Sequence, residues 1–182
     1  MTAGAELFRR NGYTGTGLKQ IVAEANAPFG SLYHFFPGGK EQLGEEVIRT
    51  SGMAYIALLD ELIAPAPDLV TGLETFFSAA AEMLVETGYA DACPIATVAL
   101  EVASTNEQLR IATADVFTAW IEAGTRGIAA FGLSEADARK LTFAVVNALE
   151  GAFVLCRAMR DTEPMAAASD SCVAYAKTLI PA

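Results

Sequence analysis

Apolar residues recur along most of the chain at the spacing expected of helices that bury one face. A clear example is the series Leu18, Ile21, Val22 and Ala25. Steps of three and four residues place these side chains on one face of an α-helix and the polar residues between them on the other. Segments with β-branched residues, such as 143–146, lie inside helical periods longer than a strand. The pattern therefore predicts an all-α fold.

Glycine and proline divide this pattern into separate helices. Gly12 is expected to end the first helix in a left-handed conformation, and Gly88 and Gly132 to end two later ones. Pro28 and Pro37 separate short helices because proline cannot continue the backbone hydrogen-bond ladder. We predict helices near residues 3–11, 18–25, 29–35, 40–63, 71–87, 94–104, 106–131, 135–161 and 164–179.

Three of the later helices start at a sequence that matches the capping box. The pairs are Thr71 with Glu74, Thr105 with Gln108, and Ser134 with Asp137. In this motif a hydroxyl group and a side chain three residues later satisfy backbone N–H groups that have no partner within the helix. We therefore expect the three hydroxyl residues to be N-caps.

The composition adds an apolar surplus to this picture. Of the 182 residues, 53% are apolar and 19% are charged, against about 45 to 50% and about 25% in average soluble domains. Large apolar patches are rarely left exposed on soluble monomers, so the surplus indicates a subunit interface or a ligand cavity. The longest apolar zone, 141–156, is interrupted by Asn147 and Glu150, and a transmembrane helix is therefore not expected.

Charge and cysteine content narrow the class of protein further. The net charge of −10 argues against nucleic-acid binding by the chain as a whole. Residues 1–50, however, hold five basic and five acidic side chains, so the rest of the chain carries the whole excess. The three cysteines have no CxxC spacing, which is typical of a reduced, cytoplasmic protein without a zinc site.

The two short helices near the N-terminus fit the plan of a helix-turn-helix motif. Their connection is a short turn, and the second helix begins with small residues that let its backbone approach a DNA groove. Within it, Leu32 and either Phe35 or Phe36 are expected to pack inward. The side chains expected to face solvent or DNA are those of Phe29, Gly30, Ser31, Tyr33 and His34. The alternative is an ordinary αα-hairpin with Tyr33 and Phe36 in the core, and the spacing alone does not decide between them.

Longer runs of sequence carry a resemblance to a known family. The runs LFRRNGY at 7–13, TGLKQI at 16–21 and GSLYHFFPGGKEQL at 30–43 resemble the DNA-binding domain of TetR-type transcriptional regulators. The segments CPIATVALE at 93–101 and RAMRDTEP at 157–164 resemble the LmrA-like subgroup. The resemblance implies a helical homodimer, with an N-terminal domain at 1–45 that binds a palindromic operator. It also implies a second domain at 46–182 that dimerises and holds an inducer cavity.

The same resemblance assigns roles to individual residues of the N-terminal domain. Thr16 or Gly17 would start the supporting helix against a phosphate, and Lys40 would meet another phosphate at the start of the fourth helix. Gly30 and Ser31 would lie in the groove, while Tyr33 and His34 would contact the backbone or base edges.

Four features depart from the family pattern. Phe29 replaces the usual Lys or Arg, which removes one phosphate partner and leaves apolar contact with a thymine methyl group as an alternative. Gly17 stands where many members have a Ser or Thr cap, and Asn26 where a Gly is common. The first helix also starts late, so we expect either a cut chain or a reduced affinity for DNA.

In the C-terminal part, apolar residues and the polar residues that interrupt apolar helices are candidates to line the inducer cavity. They are Phe77, Met83, Cys93, Thr97, Glu101, Phe117, Trp120, Asn147 and Glu150, with Phe76, Phe143 and Met159 in the same class. The alternative for the apolar members is ordinary core packing, and for the two glutamates it is solvent exposure. Gly151 lies in a nearly all-apolar helix, which the resemblance places with 164–179 in a dimeric four-helix bundle. A purely intramolecular core is the alternative.

Enzymatic functions are disfavoured by the histidine content. His34 is the one histidine, and it lies in the expected reading helix, so a Ser-His-Asp triad or a two-histidine metal site in the helical body is excluded. We expect no cofactor and no metal. Two other functions stay open: a redox sensor that uses Cys93 before Pro94, and a helical adaptor that binds protein rather than DNA. The favoured prediction is a cytoplasmic, ligand-responsive repressor that a small lipophilic inducer releases from DNA.

Overall fold

A computed structural model describes residues 1–180, apart from the side chains of Leu59 and Asp60. Within this range the chain forms nine helices and no strand. The helices are α1 (Thr2–Asn11), α2 (Leu18–Glu24), α3 (Phe29–Phe35), α4 (Gly39–Leu62), α5 (Leu69–Glu86), α6 (Pro94–Val102), α7 (Glu107–Ala129), α8 (Glu135–Met159) and α9 (Glu163–Leu179). The all-α prediction is confirmed.

Two of the three expected N-caps are wrong. Ser134 does cap α8, since its hydroxyl oxygen accepts from the N–H of Asp137 at 3.1 Å. The cap of α5 is Asp68, whose carboxylate accepts from the N–H of Thr71 at 2.8 Å. At the start of α7, Asn106 accepts from the N–H of Leu109 at 2.9 Å. Asp and Asn are stronger caps than Thr, and each precedes the first turn at the position where a cap is needed.

The glycines expected to end helices all have a positive φ. Gly88 and Gly132, after α5 and α7, have φ values of 59° and 94°. Gly12 has a φ of 73° with a ψ of 175°, so it has the positive φ but lies outside the left-handed helical region. Its N–H donates to the carbonyl of Phe8 at 3.0 Å and thereby closes α1.

The chain divides into two compact units. The first contains residues 1–54 and 93–117, and the second contains residues 55–92 and the described residues from 118 onward. Helix α6 and the first part of α7 thus belong with the N-terminal helices. These units do not coincide with a DNA-binding domain at 1–45 and a ligand-binding and dimerisation domain at 46–182, and that functional division stays a prediction.

The core of the first unit forms where α1, α2, α3 and α6 meet the start of α4. Its buried side chains include Phe8, Ile21, Leu32, Leu43, Val47, Ile48, Ile95, Val98 and Leu109. Gly4 in α1 comes so close to α4 that an added Cβ would lie 2.8 Å from a Val47 methyl group. This close approach packs α1 directly on α4, and α1 in turn contacts α2 and α6.

In the second unit, α5 and α8 both pack on α9. The largest fully buried side chains there include Phe77, Leu73 and Leu84 of α5, Leu141 of α8 and Met165 of α9. The loop after α5 is held by two guanidinium groups. Arg157 donates to the carbonyls of Tyr89 and Ala90 at 3.2 and 3.1 Å, and Arg160 donates to that of Gly88 at 2.9 Å.

Helix α8 has apolar residues on both of its faces. One face packs into the unit, whereas Phe143, Val154, Leu155 and Met159 are exposed on the rest of the helix. By length and composition α8 could cross a membrane, and it is the one such helix among the described residues. A core helix of a soluble protein meets the same criterion, and an apolar face that the chain itself does not cover is typical of a subunit interface.

Candidate nucleic-acid interface

Helices α2 and α3 form the motif that the sequence predicts. Ile21 and Val22 of α2 are buried, and Leu32 is the buried residue of α3. The turn between them passes through Asn26, which has a φ of 49°. Asn is one of the few residues other than Gly that adopt this conformation readily. Its presence where the family commonly has Gly therefore keeps the turn geometry.

Helix α3 exposes most of its aromatic side chains. Phe29, Tyr33 and Phe35 are 42%, 51% and 68% exposed, and His34 is exposed as well. The expectation that Leu32 packs inward is confirmed. Phe35 does not pack inward, because the half-buried Phe36 at the end of α3 takes the inner position. Gly30 is exposed, and a Cβ added to it would meet no atom within 4 Å.

Several exposed groups of α3 are held by contacts within the helix. The rings of Phe29 and Tyr33 meet edge to face with centroids 5.9 Å apart, and those of His34 and Phe35 do so at 5.1 Å. The Ser31 hydroxyl donates to the carbonyl of Pro28 at 2.6 Å. Its oxygen can still accept a hydrogen bond, so Ser31 keeps an acceptor for DNA and has its proton engaged.

Thr16 is not available to contact a phosphate, which corrects the expectation for this residue. It is fully buried, and its hydroxyl donates to the carbonyl of Gly12 at 2.7 Å. The side chain thus holds the turn between α1 and α2 together from the inside. Gly17, in contrast, is exposed at the start of α2, so of the two candidates it is the one whose backbone a phosphate can reach.

Lys40 lies in the first turn of α4, beside Tyr13. Its Nζ lies 4.4 Å from the centroid of the Tyr13 ring, an arrangement that attracts the cation to the ring face. Burial lowers the pKa of Lys40, and the charge of Glu101 acts in the opposite direction. Burial and the charge of Glu41 raise the pKa of Tyr13. The turn before α4 is closed by Gln42, which accepts from the N–H of Gly38 at 2.9 Å.

Glu101 belongs to this unit and is engaged there. Its Oε2 accepts from the N–H of Thr14 at 2.7 Å. Its other carboxylate oxygen occupies the place where a Cβ on Gly12 would stand, so a side chain at Gly12 would have to displace this carboxylate. The assignment of Glu101 to an inducer cavity is therefore corrected: the carboxylate of α6 holds the loop before α2. Helical periodicity marked the residue as a polar interruption and could not show its distant partner.

The other cavity candidates are distributed over both units. In the first unit, Cys93 caps α6 through its sulfur, which accepts from the N–H of Ala96 at 3.4 Å. The Thr97 hydroxyl donates to the carbonyl of Cys93 at 2.8 Å, and Phe117 is half-buried. Cys93, Thr97 and Phe117 are thus buried or half-buried side chains at or within α6 and α7. Their contact with an inducer stays a prediction.

In the second unit, Phe77 is fully buried, Trp120 is buried, and Met83 and Glu150 are half-buried. The ring of Trp120 lies 5.6 Å from that of Tyr55. Asn147 is exposed on α8, which contradicts a position in an interior cavity. A shallow depression of about 520 Å³ lies along α5 and is lined by Leu62, Glu74, Thr75, Ser78, Ala79 and Glu82. It contains none of the predicted residues.

Two of the three cysteines, Cys156 and Cys172, are poorly suited to thiol chemistry. Burial raises the pKa of the Cys156 thiol and raises that of Cys172 to about 11. A thiol with a raised pKa is a poor nucleophile at neutral pH. No group of three or more His, Cys, Asp or Glu residues is arranged to bind a metal ion among the described residues.

Comparison with known proteins agrees with this geometry. Residues 1–47 match the bacterial regulatory proteins of the TetR family, and residues 70–171 match the C-terminal domain of LmrA/YxaF-like transcriptional regulators. The HTH-type transcriptional regulator YxaF of Bacillus subtilis is 33% identical over 161 residues, which is 88% of this chain and 84% of YxaF. LmrA of the same organism is 30% identical over 165 residues, covering 91% of this chain and 88% of LmrA.

Solved structures show the same fold at lower identity. A TetR regulatory protein from Rhodobacter sphaeroides superposes with a TM-score of 0.82 at 24% identity, over 96% of this chain and 95% of that protein. A TetR regulator from Legionella pneumophila gives a TM-score of 0.81 at 19% identity, over 98% and 94%. The helix-turn-helix geometry of α2 and α3, the match over 70–171 and these relatives place the chain in the TetR family of bacterial transcriptional regulators, in its LmrA/YxaF-like branch, and thus outside the enzymes.

Proposed function

We propose that the protein is a cytoplasmic repressor that binds a palindromic operator as a homodimer and leaves it when a small apolar inducer binds. The observation that carries this proposal is the exposed face of α3. One buried residue, Leu32, fixes the helix, while Phe29, Tyr33 and His34 point away from the unit around an open Gly30. A helix held this way can enter the major groove without moving its support.

Contacts to the DNA backbone would come from around this helix. Gly17 exposes the N-terminus of α2, where free N–H groups favour a phosphate. Lys40 supplies a positive charge near the start of α4. Thr16 acts indirectly, by holding the turn that leads into α2. Few basic groups are available, so the affinity is expected to be moderate and to depend on sequence more than on charge.

The homodimer is supported by the uncovered apolar face of α8. Exposed side chains of this size are typical of an interface that another subunit buries. Two copies related by a two-fold axis would present two α3 helices to two half-sites, which explains why a palindromic operator is expected. The repressor role is supported by the HTH-type transcriptional repressor NemR of Escherichia coli, which is 26% identical over 137 residues.

The inducer proposal depends on the apolar interior of the helices after α4. A small apolar molecule would release DNA if it bound more tightly to the arrangement that does not fit the operator. The edge-to-face contact between the buried Trp120 and the half-buried Tyr55 is the aromatic feature that supports this idea. The chemistry of the inducer is proposed only as lipophilic, because the apolar surplus of the chain favours no other class.

Thiol sensing is the second candidate function, and one observation favours it. Cys93 caps α6, so its sulfur faces N–H groups that stabilise a thiolate. A solved structure of E. coli NemR in its reduced form has the same fold. Labelling of Cys93 with a maleimide in the native protein, and loss of operator binding on oxidation that Cys93→Ala prevents, would support this function. A native protein that resists both reagents would exclude it.

Selection of bound DNA from a random pool tests the main proposal. The expected result is a palindrome whose half-sites are one helical turn apart, about 10 base pairs, or a multiple of it. Enrichment of single, unpaired sites would contradict the homodimer and leave DNA binding intact. A pool without any enriched sequence would contradict the operator proposal and favour the adaptor function, in which the exposed face of α3 binds another protein.

A further inference from the structure

The reading helix contains none of the side chains that recognise a base with two hydrogen bonds. The sequence of α3 is FGSLYHF. Arg and Lys pair with guanine, Asn and Gln with adenine, and Asp and Glu accept from cytosine. All six residue types are absent from α3. Single hydrogen bonds from Ser31, Tyr33 or His34 distinguish bases less strongly than paired ones. Base recognition by α3 must therefore depend in part on its exposed apolar side chains.

The group that replaces these side chains at the start of α3 is an aromatic pair. Phe29 and Tyr33 stand one helical turn apart on the same side of α3, and both are about half exposed. Their rings meet at an interplanar angle of 72°, with centroids 5.9 Å apart. The edge-to-face contact favours this orientation of the Phe29 ring. Phe29 therefore presents a partly ordered apolar surface at the start of α3.

The surroundings of Phe29 allow a base edge to come close. Gly30 follows directly, and open space surrounds the position of its missing side chain. The Ser31 proton is used within the helix, on the carbonyl of Pro28. The side chains in the first turn of α3 therefore offer no free hydrogen-bond donor to a polar base edge, whereas the Phe29 ring can contact an apolar group. Among the four bases, thymine alone presents an apolar group in the major groove, the 5-methyl group.

We propose that Phe29 is a specificity-determining residue that reads the 5-methyl group of one thymine in each operator half-site, with Tyr33 holding its ring in place. The inference rests on the proposed function, because α3 must enter the major groove. It goes further by naming the base and the atom that are recognised. The substitution of Phe for the family's usual basic residue would then exchange a phosphate contact for a base contact.

The test uses the operator obtained by selection and the full-length protein. Each thymine of the half-site is replaced in turn by deoxyuridine, which lacks the 5-methyl group and keeps every hydrogen-bonding atom. At one position, we expect the dissociation constant to rise about fourfold for each half-site, the equilibrium equivalent of no longer burying one methyl-sized group. Deoxyuridine at the other thymines should change the affinity much less.

Two variants connect this effect to the side chain. Phe29→Ala should bind the thymine and deoxyuridine operators equally well, because the ring that detects the methyl group is gone. Phe29 is exposed, so the variant should fold, and circular dichroism will show whether it does. Phe29→Arg should change the preferred base at the same position from thymine to guanine. Lys40→Ala is the matched control, since it should weaken both operators and keep the ratio between them.

The outcomes separate this inference from the proposed function. Tight operator binding with no loss at any deoxyuridine position would overturn the inference and leave the repressor proposal intact. A Phe29→Ala protein that keeps the full deoxyuridine penalty would show that another residue reads the methyl group. If selection enriches no sequence, the operator proposal and this inference fail together, and a protein partner becomes the better explanation for the exposed aromatic pair.

Discussion

Lys40 experiences opposing effects on a single ammonium group. The Tyr13 ring and the charge of Glu101 favour the cation, whereas burial disfavours it and lowers its pKa. A cation in the first turn of a helix also faces the positive end of the helix dipole. The position is therefore unfavourable for a lysine in the free protein, and an anionic phosphate at this point would relieve the repulsion.

Replacing Lys40 should reveal that phosphate in the salt dependence of binding. Lys40→Ala should weaken operator and random DNA by a similar factor. It should also flatten the log-log salt slope of the dimer by about two, because each phosphate contact contributes roughly 0.9. Titrations at several salt concentrations measure both effects. Lys140→Ala, which removes an exposed lysine paired with Asp137 in α8, is the control. An unchanged slope for Lys40→Ala would exclude this residue from the DNA interface.

Single residues also show the limit of prediction from sequence. The periodicity correctly placed Leu32 inside α3, whereas it left Tyr33 open between the exposed face of a helix-turn-helix and the core of an αα-hairpin; the structure exposes Tyr33. The periodicity did not place Thr16, which is buried because its hydroxyl satisfies carbonyls of the preceding turn. It left Phe35 and Phe36 as alternatives for the inner position, and the structure places Phe36 there. Whether such a side chain is buried depends on the residues that pack against it in the fold, and the local sequence pattern does not identify those residues.

Between helices, the contact of α6 with the loop after α1 depends on Gly12 and Glu101. Gly12 needs a positive φ, and the Glu101 carboxylate fills the space of its missing side chain. Gly12→Ala should therefore destabilise the protein by more than the roughly 1 to 3 kcal/mol of backbone strain that a residue other than glycine carries in this sparsely populated region. In the Glu101→Ala background only the strain should remain. Urea unfolding of the wild type, the two single variants and the double variant gives the coupling free energy between Gly12 and Glu101 directly.

Gly88→Ala is the matched control for this cycle. Gly88 has a φ of 59°, and open space surrounds the position of its missing side chain. Its substitution should cost the strain alone and should be additive with Glu101→Ala. If Gly12→Ala and Glu101→Ala are also additive, the carboxylate does not occupy the site beside Gly12.

The cap of α5 predicts a dependence of stability on pH. Hydrogen bonds from Thr71, first from its N–H and then from its hydroxyl, lower the pKa of Asp68 below its ordinary value of 3.8. A lowered pKa means that the folded chain binds the proton less readily than the unfolded chain. The stabilisation is complete above the ordinary pKa and is lost as the pH falls through the lowered one.

Two substitutions of Asp68 separate the charge from the hydrogen bond. Asp68→Asn keeps a capping oxygen, so its free energy of unfolding should fall less steeply than that of the wild type between pH 5 and pH 2. Asp68→Ala loses the cap and should be less stable at every pH. Unfolding curves at each pH measure both. If the Asn variant follows the wild-type pH curve, the Asp68 carboxylate is not the source of the dependence.

At the scale of helices, the sequence predicts where most helices begin and end but not which residue caps them. Glycine, proline and the capping-box pattern together divided the chain into the nine helices of the described residues, because these signals depend on neighbouring residues and not on distant ones. The caps of α5 and α7 were missed because Thr71 and Thr105 match the capping box, whereas Asp68 and Asn106, which cap these helices, have no Glu or Gln three residues later. The choice between neighbouring caps depends on differences of about 1 kcal/mol. The structure shows which side chain accepts from the free N–H groups, and the sequence pattern alone does not.

At the scale of the whole molecule, Trp120 offers a probe for an inducer. It is buried and stacks edge to face against Tyr55, so a ligand that enters nearby should change its fluorescence. We expect at least one compound of a lipophilic panel to shift the emission and to weaken operator binding over the same concentration range. Trp120→Phe should lose the optical signal and keep the release from DNA. A panel that changes neither signal would remove the support for an inducer site near this residue.

The dimer can be tested at one position on α8. Gly151 is exposed, and a Cβ added there would meet no atom within 4 Å. Gly151→Arg should therefore fold, and arginine also favours a helix over glycine. In the proposed dimer, however, this face meets the second subunit, where an unpaired guanidinium would be buried among apolar side chains such as Val154 and Leu155 at a prohibitive desolvation cost.

Sedimentation equilibrium should give twice the chain mass for the wild type and a single chain mass for Gly151→Arg. Gly127→Arg in α7, whose added Cβ also meets no atom within 4 Å, should stay dimeric. A dimeric Gly151→Arg protein would move the interface to another face, whereas a monomeric wild type would leave the exposed apolar side chains of α8 without an explanation and would contradict the binding of two half-sites by one assembly.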